Sequence, residues 1–218
     1  MTSSTIVTLA RHGRTPWHKG NRYTGSSDVD IDDVGRRQAN QLAAWAAHER
    51  PSVLYASTLR RARQTARPVA DVLGVPVHTD ARLVELDFGA AEGTTLAELR
   101  TTHPEVVALF EADAAQHHLP GGEHPERAAD RATAALTDIA ARHPGEHVLV
   151  ICHNTLIRLI VCRYLGVPMG RYRTVLRGLD PVATTRLLFS PDQPVMLQYY
   201  NRTPSTVPNE EVSGVQVT

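Results

Sequence analysis

Thr5-Ile-Val-Thr-Leu-Ala10 is a β-branched run that stops at Arg11-His12-Gly13, which reads as a strand running into a loop. The pattern returns twice. Val53-Leu-Tyr-Ala56 is a short strand, with Ser57 expected to cap a helix that runs to about Leu73, and His147-Val-Leu-Val-Ile-Cys152 is a strand followed by a helix over Thr155 to Leu165. Between these, Asp32 and Asp33 can cap a helix that buries Ala39, Leu42, Ala43 and Ala46 at i, i+3, i+4 and i+7 and ends near Arg50-Pro51. This β-α-β-α-β alternation predicts a three-layer α/β/α sandwich around a mostly parallel, mixed central sheet.

The remaining segments fit the same plan. A further strand is expected at Val75 to His78, a strand-like run turning into loop at Leu83 to Gly93, and two final strands in Pro181 to Tyr200 around Pro191. Helices are expected at about 95 to 116, interrupted at Pro104, and at about 125 to 142, with a turn at Leu119-Pro-Gly-Gly-Glu123. Residues 14 to 31 show neither helical nor strand period and read as a long functional loop. Residues 1–202 are expected to be one domain, and residues 203–218 a loose tail.

Composition excludes several classes. With 42% hydrophobic side chains in 218 residues, the chain can bury a core, and disorder of the whole is excluded. Its 23 basic and 23 acidic residues cancel, so no global field draws nucleic acid or an acidic membrane. Lys19 is the sole lysine, and the arginines supply planar forks suited to phosphate. Cys152 and Cys162 form neither a disulfide framework nor a zinc pattern and read as buried thiols in a reducing compartment. Residues 1 to 10 lack the features of a signal peptide and no apolar run is long enough to span a membrane, so a soluble cytoplasmic protein is expected. A homodimer is compatible with the chain.

Ligands of such sheets bind beyond the carboxyl ends of the strands. Arg11, His12 and Thr15 follow the first strand, Ser57, Arg60 and Arg61 the second, and His153 the strand at 147–152, while Glu85 lies in the segment near 83. Two histidines, two arginines and a carboxylate at one sheet edge suit phosphoryl transfer. Guanidinium forks hold phosphate oxygens, and the first turn of the helix after His153 offers N–H groups and a dipole end to an anion. A neutral imidazole attacks phosphorus, and a carboxylic acid protonates the leaving oxygen.

Leu9-Ala-Arg11-His12-Gly13-Arg14-Thr15 resembles the R-H-G-x-T/S motif of the histidine phosphatase superfamily, on its cofactor-dependent phosphoglycerate mutase branch. Asn21-Arg-Tyr-Thr24-Gly25, Ser57-Thr-Leu-Arg-Arg61-Ala62, Leu83-Val-Glu85-Leu-Asp-Phe88-Gly89 and Val150-Ile-Cys-His153-Asn154 are similar to further motifs of that family, in the expected order. The resemblance implies that His12 is the nucleophile and that Glu85 is general acid and then base. It also implies that Arg11, Arg61 and His153 hold the phosphoryl group, with Arg61 preferred to Arg60 because it directly precedes the alanine. Thr15, His18, Thr24, Gly25 and the backbone N–H of Asn154 would complete substrate binding. His18 stands where the family often has asparagine, and Asn154 where glycine is common.

Mutases of the family carry a lysine after the E/Q-G tail and an Arg-Arg-Ser further on. Here Gly93 is followed by a lysine-free run, Glu111 to Glu123 contains no arginine, and Pro120-Gly-Gly-Glu123 resembles the turn of phosphatase-type members. Without that second cationic clamp, water is the expected acceptor. The expectation is a metal-independent, cofactor-free phosphomonoester hydrolase acting on a small phosphorylated metabolite through a phosphohistidine. The alternatives are a 2,3-bisphosphoglycerate-dependent phosphoglycerate mutase and a catalytically silent phosphate-binding module. Selectivity is expected from residues 14 to 31 and 95 to 125. Trp17 and Tyr23 either wall the pocket or anchor their loop. His117, His118 and His124 read as a polar loop rather than metal ligands. Arg171, Arg173 and Arg177 read as a solvated face, or else as an entrance for anions.

Overall fold

The computed structural model describes residues 3–205. Its sheet has six strands: β1 (Thr5–Arg11), β2 (Val53–Ser57), β3 (Val77–Asp80), β4 (His147–Cys152), β5 (Thr184–Phe189) and β6 (Met196–Arg202). They lie in the order β3-β2-β4-β1-β5-β6. The pairings β3-β2, β2-β4 and β4-β1 are parallel, β5 runs antiparallel to β1, and β6 antiparallel to β5. The sheet is thus mixed and mostly parallel, as expected. In β1–β4 register Arg11 lies opposite Cys152, so His12 and His153 leave the sheet side by side.

Alternate residues of the central strands feed two separate cores, as the period of two in a strand requires. On one face Ala10, Leu54, Leu149 and Ile151 pack on α1 (Asp33–Glu49) and α2 (Arg60–Leu73), through Leu42, Ala46, Ala62 and Ala66. α3 (Leu96–Thr102) and α4 (Pro104–Ala112) follow in the chain, broken at Pro104 as expected. On the opposite face Leu9, Val148 and Val150 meet α5 (Pro125–Arg142) and α6 (Asn154–Leu165), through Ala128, Leu136, Ile139, Leu156 and Ile160. A short helix, α7 (Tyr172–Val175), leads toward β5. Each fully buried Leu or Ile contributes roughly 1.5–3 kcal/mol, which is why the two apolar strands occupy the centre.

The structure corrects several sequence expectations. Leu83–Phe88 is not strand-like: Ala81–Leu83 form a 3-10 turn and the run to Phe88 is irregular. Arg131 explains this, because its guanidinium donates to the carbonyls of Arg82, Val84 and Glu85, where a strand neighbour would otherwise donate. Ser57 does not cap α2 but ends β2, and Leu59 occupies the N-cap position. β3 starts at Val77 rather than Val75. α4 ends at Ala112, because the Asp113 carboxylate takes up the N–H groups of Ala115 and Gln116. The 14–31 loop contains a 3-10 helix, Pro16–Gly20. Of the proposed tail, residues 203–205 have no regular structure, and the remainder lies outside the described residues. No helix among the described residues is long and apolar enough to cross a membrane.

Asp32 caps α1, its Oδ1 accepting from Gly35 N at 2.8 Å. Gly35 then lies against the backbone that follows His12: a Cβ there would sit 2.1 Å from the Arg14 carbonyl oxygen. Gly35→Ala is therefore expected to cost about 1–3 kcal/mol. Urea unfolding should show a lower midpoint with an unchanged slope; an unchanged midpoint would show that this contact does not hold the loop.

Candidate active site

The end of β1 delivers His12, whose backbone N–H donates to the Cys152 carbonyl at 3.0 Å. His12 is buried, with 4% of its surface exposed. Its Nδ1 lies 2.7 Å from the Gly13 carbonyl oxygen. A carbonyl only accepts, so Nδ1 carries the proton and Nε2 keeps its lone pair. No described residue hydrogen-bonds Nε2. Burial holds the His12 pKa well below the usual histidine range, assisted by the positive potential of Arg61 and by His153 and Arg11. Nothing further is needed to keep the imidazole neutral.

Arg61 and His153 stand against this ring. Both are fully buried, and the His12 and His153 ring centroids are 5.2 Å apart. Arg61 donates to the carbonyls of Ser27, Thr24 and Gly25, and through Nε to His153 Nδ1 at 3.3 Å. His153 Nδ1 is therefore an acceptor, and its Nε2 donates to Ser57 Oγ at 2.8 Å. Burial keeps His153 neutral as well. Arg60, one residue earlier, is exposed and paired with Asp28 and Asp30. The helical rotation of about 100° per residue separates the two arginines.

Glu85 closes the cluster, and its partners were not foreseen. Oε2 accepts from Thr155 N at 2.9 Å; Oε1 accepts from Leu156 N and Leu86 N, each at 2.8 Å. The N-terminus of α6 thus receives a protein carboxyl group, where the sequence reading had offered its first turn to a bound anion. Burial raises the Glu85 pKa, while these N–H groups and Arg61 oppose the rise.

A cavity of about 280 Å³ opens onto His12 and Glu85. Arg11, His18, Thr24 and Asn154 also line it, as expected. Burial draws the Arg11 pKa down to about 10. His18 sits edge-on to His12, with ring centroids 5.7 Å apart. Its Nε2 accepts from Arg11 Nη2, so Nδ1 carries the proton and donates to Thr15 Oγ1 at 2.9 Å; burial and Arg11 push its pKa down to about 3. Arg61 and His153 lie behind the lining. So do Thr15, which holds His18, and Gly25, whose N–H is taken by Glu92. Tyr23 walls the cavity, while Trp17 packs near Gly93 and anchors the loop.

The sequence reading missed Arg158 and Tyr172 on the cavity wall, where Arg173 also lies. The signal for Arg158 was its place as a lone charge in the apolar run 156–161. Of the two readings of Arg173, its place on the cavity wall fits the entrance for anions rather than the solvated face, and the cavity lining extends beyond segments 14–31 and 95–125. Cys152 and Cys162 are buried free thiols. The His118 and His124 rings approach to 5.1 Å, and the described residues contain no group of three or more His, Cys, Asp or Glu that could hold a metal ion.

The chain is 34% identical over 162 residues to a metal-independent phosphoserine phosphatase of Arabidopsis thaliana, covering 73% of this chain and 68% of that one. It is 32% identical over 190 residues to glucosyl-3-phosphoglycerate phosphatase of Mycolicibacterium vanbaalenii, with 83% of each covered. A probable phosphoglycerate mutase of Enterobacter sp. is 32% identical over 162 residues, covering 74% and 75%. The structure of a mycobacterial glucosyl-3-phosphoglycerate phosphatase in complex with VO3 superposes with a TM-score of 0.82 at 27% identity, covering 90% of this chain and 98% of that one. The family model for branch 1 of the histidine phosphatase superfamily matches residues 7–202, and the chain belongs to that family.

Proposed function

We propose that the protein is a metal-independent phosphomonoester hydrolase that acts on a small phosphorylated metabolite through a phosphohistidine at His12. The observation that carries this reading is the tautomer of His12: a buried, neutral ring with Nδ1–H held by Gly13 and Nε2 left free beside Arg11. Nε2 attacks phosphorus and the ester P–O bond breaks. The departing oxygen takes the proton of Glu85. Water then attacks phosphorus, Glu85 takes the proton of that water, the P–N bond breaks, and phosphate leaves.

Arg11 holds the phosphoryl oxygens from the cavity wall, and Arg61 adds its fixed charge from behind the ring. The family resemblance assigns Arg61 and His153 a direct hold on the phosphoryl group. Their polar atoms bond Ser27, Thr24, Gly25 and Ser57, so such a hold exchanges those bonds on binding. Guanidinium charge does here what a metal ion does elsewhere in phosphoryl transfer.

Relatives named as phosphatases support hydrolysis. A bisphosphoglycerate-dependent mutase is the second reading, and one observation favours it. Arg158 of α6 and Arg173 of α7 place positive charge on the cavity wall, where the sequence offered no lysine after Gly93 and no arginine in Glu111 to Glu123. A silent binding module is disfavoured because each catalytic position is filled.

Turnover with chelator present separates these readings. The unaltered enzyme should release phosphate from esters, and His12→Ala should lower the rate by at least about a thousandfold. Interconversion of phosphoglycerates with a bisphosphorylated primer and no phosphate release would make it a mutase, and silence on every ester would favour the binding module.

Glu85 must be protonated to act as acid, and burial raises its pKa, so the acid form persists above the ordinary carboxylate range. Hydrolysis of alkyl esters should therefore peak at mildly acidic to neutral pH and fall as pH rises. Glu85→Gln should slow alkyl esters by about 10²- to 10⁴-fold and abolish that alkaline fall, while p-nitrophenyl phosphate, with its good leaving group, loses far less. Equal slowing of both would remove Glu85 from the role of acid.

A further inference from the structure

Arg11 holds the phosphoryl oxygens in the proposed chemistry, and the fold grips it without a counter-charge. Among the described residues it forms no ion pair, whereas Arg14 pairs with Asp32 at 2.8 Å. Two neutral acceptors hold it instead. Its Nη2 donates to His18 Nε2 and its Nη1 to the Leu179 carbonyl. Its Nε is a buried donor with no partner among the described residues. A guanidinium held by neutral groups keeps its charge for an incoming anion, while a carboxylate partner would offset much of it.

Each acceptor is itself tied down. His18 Nδ1 donates to Thr15 Oγ1 at 2.9 Å, and Thr15 is fully buried. Leu179 lies in irregular chain between α7 and β5, where no helix or strand fixes its backbone. The Asn154 side chain does so, its Oδ1 accepting from Leu179 N at 2.8 Å. One line of contacts runs from Thr15 through His18 to Arg11, and another from Asn154 through Leu179 to Arg11. Residues 18 and 154 are also the two noted departures from the family motifs, and both lead to the same guanidinium. The asparagine common at 18 would end one bond short of Nε2, and the glycine common at 154 has no side chain to reach Leu179.

We propose that His18 and Asn154 are positioning residues that together aim the Arg11 guanidinium at the transferring phosphoryl group, and that His18 makes no phosphate contact of its own. Both ring nitrogens of His18 are already engaged, by Arg11 and by Thr15. A free arginine side chain carries about 2 kcal/mol of rotamer entropy, and fixing it in advance removes that cost from binding and reaction. Donors held in place also need no reorganisation as charge moves. The inference rests on the phosphoryl chemistry proposed above and adds the residues that steer it. It replaces the expectation that the side chain at 18 binds substrate directly.

Double-mutant cycles through Arg11, with p-nitrophenyl phosphate as substrate, test the proposal. His18→Leu should lower kcat by about 10- to 100-fold and Asn154→Ala by about 3- to 10-fold, each with KM changed by less than about threefold. His18→Gln, whose amide oxygen lies as many bonds from the backbone as Nε2, should recover most of the loss. In an Arg11→Ala background either substitution should change kcat by less than about twofold, because nothing is left to aim. A phosphate contact from His18, or general damage to the fold, would lower kcat by the same factor in both backgrounds and overturn the proposal. An unchanged kcat for His18→Leu would overturn it as well. Thermal unfolding reports whether each variant folds, and the Asn154→Ala cycle decides if His18→Leu does not. Calorimetric binding of orthovanadate across the same cycle reads the coupling without turnover. Coupling in vanadate binding with no phosphate release would sink the hydrolase reading and leave the positioning role standing. Additive losses in vanadate binding would sink the positioning role alone.

Discussion

The backbone N–H of His12 donates to the carbonyl of Cys152, just beyond the last paired residues of β1 and β4, and the site depends on that pairing. Parallel strands in register end at the same level, so two histidines 141 positions apart in sequence emerge with ring centroids 5.2 Å apart. β2 ends beside β4 and contributes Ser57, which holds His153, while α2 starts three residues later and contributes Arg61. A one-residue slip between β1 and β4 would turn their buried side chains to the wrong faces. The two cores therefore specify the active-site register.

The site gathers several costly groups and meets the cost differently for each. His12 and His153 are buried neutral, which removes the charge that burial penalises. Arg61 stays charged and is satisfied by three carbonyls and an imidazole nitrogen. Glu85 meets three backbone N–H groups, two of them at the start of α6, so burial and hydrogen bonding pull its pKa in opposite directions. A carboxyl group balanced in this way can give up a proton and take it back within one cycle. Arg158 and Arg173 are the exceptions, stacked on the rings of Tyr172 and Phe110 and paired with no described carboxylate.

Much of this was legible in the sequence because it is written in strand ends. The runs 5–10, 53–56 and 147–152 located three of the sheet's four parallel strands, and the rule that ligands bind at their carboxyl ends singled out Arg11, His12, Arg61 and His153. The choice of Arg61 over Arg60 agrees with one being buried and the other paired with surface aspartates. Other features were illegible because tertiary contacts create them. Leu83–Phe88 looks like a strand until Arg131, some 45 residues away in sequence, takes its carbonyls. Thr15 and Gly25 belong to the site's supports, since their polar groups serve His18 and Glu92. The place of Arg173 on the cavity wall depends on how a four-residue helix packs over Phe110 and Tyr23, and no periodicity encodes that.

The central claim is a covalent phosphate on His12 Nε2, and trapping it is the most direct measurement. The enzyme would be mixed with a labelled phosphate ester in chelator, denatured within the first turnover, and its bound label tested for acid lability and located by peptide mapping. The account predicts an acid-labile, alkali-stable phosphate on His12 that forms and decays at rates compatible with turnover. Rapid phosphate release with no labelled enzyme at any time, or label on another residue, would contradict it.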